Sequence, residues 1–312
     1  MDTLKTLKTF QEAIVYFSNP DNCVAYLVSK RWPDGVVKCP NCGSTEVKYM
    51  PTRRTWQCKT RHPKSQFSVK VGSIYEDSAI GLDKWLMATW MLTSGKNGVS
   101  SYEIHRAIGV TQKTAWFMSQ RIRLSMQDDD NNQLSGQVEV DETFIGGKAR
   151  NMHAAKRKTR IKGTGGSGKV VVMGMLERGG KVKASVVEDR TAMTLQMNVL
   201  DSIAAGAELI TDELESYRGL DGAYVHSVIN HANEYVKGHI HTNGMENFWS
   251  LLKRGLNGTY VAVRPFHLFR YIDEQVFRYN NRKDIGDGGR FNLCVSQGFG
   301  KRLTYKQLTG KA

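Results

Sequence analysis

Gln137-Val138-Glu139-Val140-Asp141-Glu142-Thr143-Phe144-Ile145-Gly146-Gly147 reads as an apolar run that delivers an acid, Asp141, and then turns at its glycines. A second run, Glu208-Leu209-Ile210-Thr211-Asp212-Glu213, delivers Asp212 in the same way. A third segment, Met245-Glu246-Asn247-Phe248-Trp249-Ser250-Leu251-Leu252-Lys253-Arg254, has helical character and opens on Glu246. Carboxylates at strand ends converge on one edge of a sheet, and a helix packed beside that edge adds a third. Held together, they repel and raise each other's pKa unless a cation neutralises them. Hard oxygen ligands favour Mg²⁺ or Mn²⁺. Two such ions roughly 3.5–4 Å apart clamp the attacking and leaving oxygens of a phosphodiester displacement. Asp141, Asp212 and Glu246 are therefore the expected catalytic set, and nucleic-acid strand cleavage or transfer is the expected chemistry.

Outward from Gln137 the pattern is strand, loop, strand, strand, helix, strand. Val170–Leu176 and Val182–Val187 form a hairpin around Arg178-Gly179-Gly180, a helix spans Thr194–Ala205, and Leu209–Asp212 is the next strand. This order suits an α/β fold with a ribonuclease-H-like catalytic domain, placed at 135–285. Glu246 and Lys253 are seven residues apart, so a helix turns both the same way. Lys253 would then meet a phosphate oxygen. Asn247 is an alternative third ligand, on a face shared with Arg254, but a carboxylate binds Mg²⁺ better than an amide. Glu139 shares a strand face with Asp141 yet carries no further mark. Glu142 and Glu213 are expected to point away, and the pair Glu188 and Asp189 ranks below the chosen set. From Lys148 to Lys169 there are eight Lys or Arg and no acid, ending in a Gly-rich stretch without Walker spacing. A basic loop that orders on DNA is the expectation.

Nearer the N-terminus, Cys39-Pro40-Asn41-Cys42-Gly43 is a CxxC knuckle, followed by Trp56-Gln57-Cys58-Lys59-Thr60-Arg61-His62. Cys39, Cys42, Cys58 and His62 are the expected ligands of a structural Zn²⁺ ribbon, because four protein ligands leave no open position for substrate. The plain alternative for His62 is a surface histidine in a basic loop. Cys23 and Cys294 sit alone and read as packing residues.

Between the ribbon and the catalytic domain, Ser100–Val110 reads as a helix and turn, with Ser101 as cap and Gly109 as stop. Thr111–Arg123 would be a second helix whose early residues, Thr111, Gln112, Lys113 and Thr114, are types that read bases and phosphates. Arg121 and Arg254 complete the expected DNA-contacting set. An ordinary helical hairpin is the competing reading. The run Asp128-Asp129-Asp130-Asn131-Asn132 marks a linker rather than a metal site.

The 312 residues carry 44 Lys and Arg against 30 Asp and Glu, a net charge of +14, which favours a polyanionic partner. No apolar run approaches a membrane span. The cysteine pattern points to metal in a reducing compartment, so the expected location is cytoplasmic and chromosome-associated. The expected divisions are 1–75 (helical segment and ribbon), 76–127 (helix-turn-helix), 135–285 (catalytic domain) and 286–312 (basic C-terminal tail).

Val138–Gly147 and His241-Thr242-Asn243-Gly244-Met245-Glu246-Asn247-Phe248-Trp249-Ser250-Leu251-Leu252-Lys253-Arg254-Gly255 resemble signature blocks of bacterial insertion-sequence DDE transposases with an N-terminal zinc ribbon, the insertion-sequence fifteen-ninety-five (ISXO-type) family. Arg31–Gly35, Gln66–Ser73 and Phe277–Arg282 match as well, so the resemblance runs from Phe17 to Arg282. It implies a Mg²⁺-dependent transposase that cuts and joins DNA at terminal inverted repeats, with Asp141, Asp212 and Glu246 as triad and Lys253 following. Two DNA ends must meet, so a homo-oligomer on double-stranded DNA is expected. A DNA-binding regulator with an inert acidic set, and a nuclease that cuts without joining, are the competing classes.

Overall fold

The computed structural model describes residues 7–127, 131–147, 149–161, 166–212, 214–229, 241–283 and 285–310. The acidic run 128–130, Glu213, His231, Tyr235 and His239 lie outside this range, as does part of the Gly-rich stretch before Lys169. The chain forms two compact units. One joins Met1–Gln127 to Asn281–Ala312, and the other is Asp128–Asn280.

The first unit begins with α1 (Phe10–Phe17) and α2 (Pro20–Arg31). Thr9 and Glu12 close a reciprocal capping box on α1, and Asn19 caps α2 ahead of Pro20, whose fixed φ suits a first helical position. A small antiparallel sheet follows: β1 (Val47–Met50), β2 (Thr55–Cys58) and β3 (Gln66–Phe67). Next come α3 (Leu82–Ser94), α4 (Ser101–Ile108) and α5 (Gln112–Ser125). Ser100, one residue before the expected Ser101, caps α4 in a box with Glu103. Gly109 stops that helix at φ +63°, a left-handed conformation natural to glycine, and Thr111 caps α5 through Thr114 N–H.

The chain then builds the second unit: β4 (Gln137–Ile145), α6 (Ala154–Arg160), β5 (Val170–Glu177), β6 (Val182–Val187), α7 (Ala192–Ser202), β7 (Glu208–Asp212), β8 (Val225–Ile229), α8 (Asn243–Arg254), a π-helical turn at Gly255–Tyr260, and α9 (Leu268–Asn280). It returns to the first unit with α10 (Asp287–Ser296) and α11 (Tyr305–Thr309).

That return corrects the expected tail. Residues 286–312 are not an appendage, and the second unit closes at Asn280 rather than 285. Phe291 of α10 is fully buried, stacked on Tyr26 at 5.7 Å and against Trp90 at 4.8 Å, and Arg290 Nε donates to the Thr93 carbonyl at 3.1 Å. The expected boundary between 75 and 76 also disappears inside this unit. Cys23 and Cys294 are fully buried and bond to the Phe17 carbonyl and Ser125.

In the second unit the strand order is β6-β5-β4-β7-β8. β6, β5 and β4 pair antiparallel, while β4–β7 and β7–β8 pair parallel. Alternation along the strands sends side chains to two cores. Val138, Val140, Met173 and Met175 pack with Leu195 and Val199 of α7. Val172, Leu176 and Val182 pack with Phe248 and Trp249 of α8 and Ile272 of α9. On β4, Glu139 and Asp141 therefore face α8, while Glu142 lies on the α7 side. The free edge of β6 is partly closed by Asn280, whose amide accepts from Val182 N–H at 2.8 Å and donates to its carbonyl at 3.0 Å. Such pairing occupies backbone groups that would otherwise template another strand.

Candidate active site and metal centre

The parallel register of β4 with β7 ends at Glu139–Ile210. Two residues further along each strand stand Asp141 and Asp212. Across the sheet, Asp141 is level with Gly174 of β5. A β-carbon at Gly174 would lie 2.3 Å from Met245 Cε and 2.7 Å from the Trp249 ring. The bare backbone there admits α8 close against the sheet, and the Trp249 indole N–H donates to Asp141 Oδ2 at 2.9 Å. Asp141 Oδ1 accepts from Glu142 N–H at 2.8 Å, and Asp212 Oδ1 from Leu214 N–H at 3.1 Å.

Burial pushes the Asp141 carboxyl up to about 6; the Trp249 bond opposes this, and the charges of Asp212 and Glu246 raise it further. Asp141 thus feels the charges of the other two acids chosen from sequence. Glu246 lies in the first turn of α8, beside the Trp249–Asp141 contact. Lys253 and Arg254, in its last turn, are exposed.

Glu142 departs from expectation. Its carboxyl is pushed up to about 8 by burial and by the charges of Asp212 and Asp141, with Arg190 opposing. Its Oε1 is buried without a hydrogen-bond partner. Sequence alternation puts Glu142 on the face opposite Asp141, which is correct, but β7 ends close enough for Asp212 to act on it. Glu139 is likewise no bystander: it is buried and paired to Arg178 at 2.9 Å. Within the basic loop, Ala154–Arg160 forms the helix α6.

The ribbon brings Cys39, Cys42, Cys58 and His62 together, with all four ligand atoms within 4.8 Å of one another. Among the described residues this is the only set of three or more so close. Cys39 Sγ lies 3.5 Å from His62 Nε2, and Cys42 Sγ 3.7 Å from Cys58 Sγ. His62 Nδ1 contacts the Pro63 carbonyl at 2.7 Å, which leaves Nε2 for the cluster. Burial raises the Cys58 thiol, but bonds from His62, the Thr60 backbone and Cys42 outweigh it and bring it down to about 6. Sulfur and imidazole donors at this spacing suit a closed, structural Zn²⁺ site.

On α5, Thr111 and Lys113 are exposed, and Gln112 and Thr114 half-buried. Lys113 Nζ lies over the Tyr305 ring at 5.1 Å, and Gln112 donates to Ser101 at 2.9 Å. Arg121 does not join them. It is 3% exposed, packs against Trp85 and Phe117 and donates to the Glu76 carbonyl, so its guanidinium serves the core. Among the described residues no helix is long and apolar enough to cross a membrane.

Residues 133–280 match the ISXO2-like transposase domain, and residues 18–60 match the transposase zinc-ribbon domain. Together the two matches span more than half of the chain, which belongs to this family of zinc-ribbon insertion-sequence transposases. An uncharacterized protein in transposable element ISH50 of Halobacterium salinarum is 29% identical over 244 residues, covering 74% of this chain and 81% of that protein. No solved structure matches.

Proposed function

We propose that this chain is a DDE transposase that binds the terminal inverted repeats of its insertion sequence and catalyses Mg²⁺-dependent strand cleavage and strand transfer. The reading is supported by Asp141 and Asp212 standing at the ends of neighbouring strands and by the charges of Asp212 and Glu246, the latter in the first turn of α8, raising the pKa of Asp141. The donor set fits a hard cation: it is all oxygen, and Glu142 beside it has a buried oxygen with no partner. Asp141, Asp212 and Glu246 would hold Mg²⁺ or Mn²⁺, which supplies Lewis acidity to the attacking and leaving oxygens of an in-line displacement. The chain's own residues orient the rest. Trp249 fixes the rotamer of Asp141, and Lys253, two helical turns from Glu246, offers its ammonium to a phosphate oxygen. No covalent protein intermediate is required.

The antiparallel-then-parallel strand order supports a ribonuclease-H-like domain. The capped α4–α5 pair with its tight turn supports a helix-turn-helix, in which Thr111, Gln112, Lys113 and Thr114 contact DNA; Arg254 adds a phosphate contact in the catalytic unit. Zn²⁺ holds the ribbon. The protein works on double-stranded DNA as a homo-oligomer, in the cytoplasm on the chromosome.

A strand-transfer assay with Mg²⁺ and DNA bearing the repeats that flank the gene tests this, beside Asp212→Ala. Joined products from wild type alone are expected. Cleavage without joining would make the protein a nuclease, and binding without cleavage by either protein a regulator.

A further inference from the structure

We propose that Glu139 is a positioning residue for the carboxylate site, pinning the start of α8, and with it Glu246, against the strand that carries Asp141. The proposal rests on the reading of Asp141, Asp212 and Glu246 as a cation-holding set.

Glu139 is 1% exposed and two residues before Asp141 on the same face of β4. Its Oε2 accepts from Met245 N–H, in the first turn of α8, at 3.0 Å. Its Oε1 accepts from Arg178 Nε at 2.9 Å and lies 3.5 Å from His241 Nδ1. Arg178 in turn donates to the His241 carbonyl at 2.6 Å and to Gln137 Oε1 at 3.3 Å. The approach is tight: a β-carbon on Gly244 would lie 2.7 Å from Glu139 Oε2 and 2.3 Å from Leu176 Cδ2. The chain entering α8 is thus held by its His241 carbonyl, its Met245 N–H and the absence of a side chain at Gly244.

A buried carboxylate is costly unless paired and fully bonded, and apolar contacts alone would hold a helix as firmly. What the carboxylate adds is direction. An acceptor at a helix N-terminus meets unbonded N–H groups and the positive end of the helix dipole, and so fixes where the helix begins. Glu246 is the residue after the bonded Met245, so a shift of this turn displaces its carboxylate relative to Asp141.

The test uses the full-length protein and Mn²⁺, with bound ions counted by electron paramagnetic resonance and strand cleavage measured alongside. Glu139→Gln keeps an acceptor for Met245 N–H and removes the charge paired with Arg178. Gly244→Ala leaves every charge in place and forces the turn outward. Both are expected to weaken Mn²⁺ binding by about 10- to 100-fold, with cleavage restored as Mn²⁺ is raised. Asp141→Asn sets the reference. If wild type and Asp141→Asn bind Mn²⁺ equally, the metal-site reading itself fails. If Asp141→Asn loses the ion while Glu139→Gln and Gly244→Ala bind as wild type does, the positioning role fails. Should Glu139→Gln lose its far-ultraviolet circular dichroism, Gly244→Ala decides alone. If both unfold, the network serves the stability of the whole unit and the proposal is overturned.

Discussion

The ribbon and the proposed carboxylate site both use side chains suited to a cation, but they are assembled in opposite ways. The ribbon takes its four ligands from Cys39 to His62, a short stretch folded around one hairpin. The carboxylate site draws on β4, β7 and α8, from Asp141 to Glu246. In the ribbon, soft donors converge within 4.8 Å beside a small aromatic cluster in which Trp56 packs against Trp32, Tyr49 and Phe67. In the second unit, two apolar cores pack the strands against α7 on one face and α8 and α9 on the other. On the proposed reading, a cation would tie together a short local stretch in the first case, and in the second would enter a site built by distant elements.

The contrast can be broken most sharply by Asp141→Asn. Strand cleavage should fall by about three orders of magnitude or more, while thermal melting of the protein stays intact. Collapse of the melt would show that the carboxylate set also organises its unit. Cys58→Ala should do the reverse: zinc content and DNA affinity drop, and the ribbon loses its cooperative transition while the catalytic unit keeps its own. Stoichiometric zinc in that variant would sink the ligand assignment.

Gly174→Ala sharpens the comparison from the packing side. The added methyl meets Met245 and Trp249, so about 1–3 kcal/mol of stability should be lost and cleavage should fall, with zinc content unchanged. The pH response should be gentler. Folded Asp141 and Glu142 hold protons more tightly than ordinary carboxyls, at about 6 and about 8. Their contribution to stability is full at low pH and is lost as pH rises through those values in metal-free protein. Relative to Asp141→Asn, metal-free wild type should therefore lose thermal midpoint between pH 4 and 7, and Mg²⁺ should restore more of it at pH 8 than at pH 5. A rising difference would refute the shift. Smallest of all, Thr111→Ala should cost the α5 cap about 1 kcal/mol, read as a shift in chemical denaturation.

Much of the catalytic unit was legible because its strands end on acids and its hairpin turns on Arg178-Gly179-Gly180. The ribbon's ligands were legible for the opposite reason, their closeness in sequence. Glu139 was not, because its partners Arg178 and Met245 lie 39 and 106 residues away. The influence of Asp212 on Glu142 depends on how two strand ends lie, which alternation along one strand cannot reveal. Arg121 looked DNA-facing because arginine is usually exposed; here Trp85, Phe117 and a free carbonyl give its guanidinium a buried home. Basic residues concealed Phe291, Cys294 and Val295, so a core helix passed for a tail.

The catalytic unit is an insertion within the first unit, which has a consequence for synthesis. As the chain leaves the ribosome, every residue of the catalytic unit emerges before Phe291, which the first unit needs to fill the space between Tyr26 and Trp90. A premature stop just after Asn280 would therefore spare the sheet and its acids and strike the ribbon-bearing unit, leaving an exposed aromatic surface for proteases and aggregation to find.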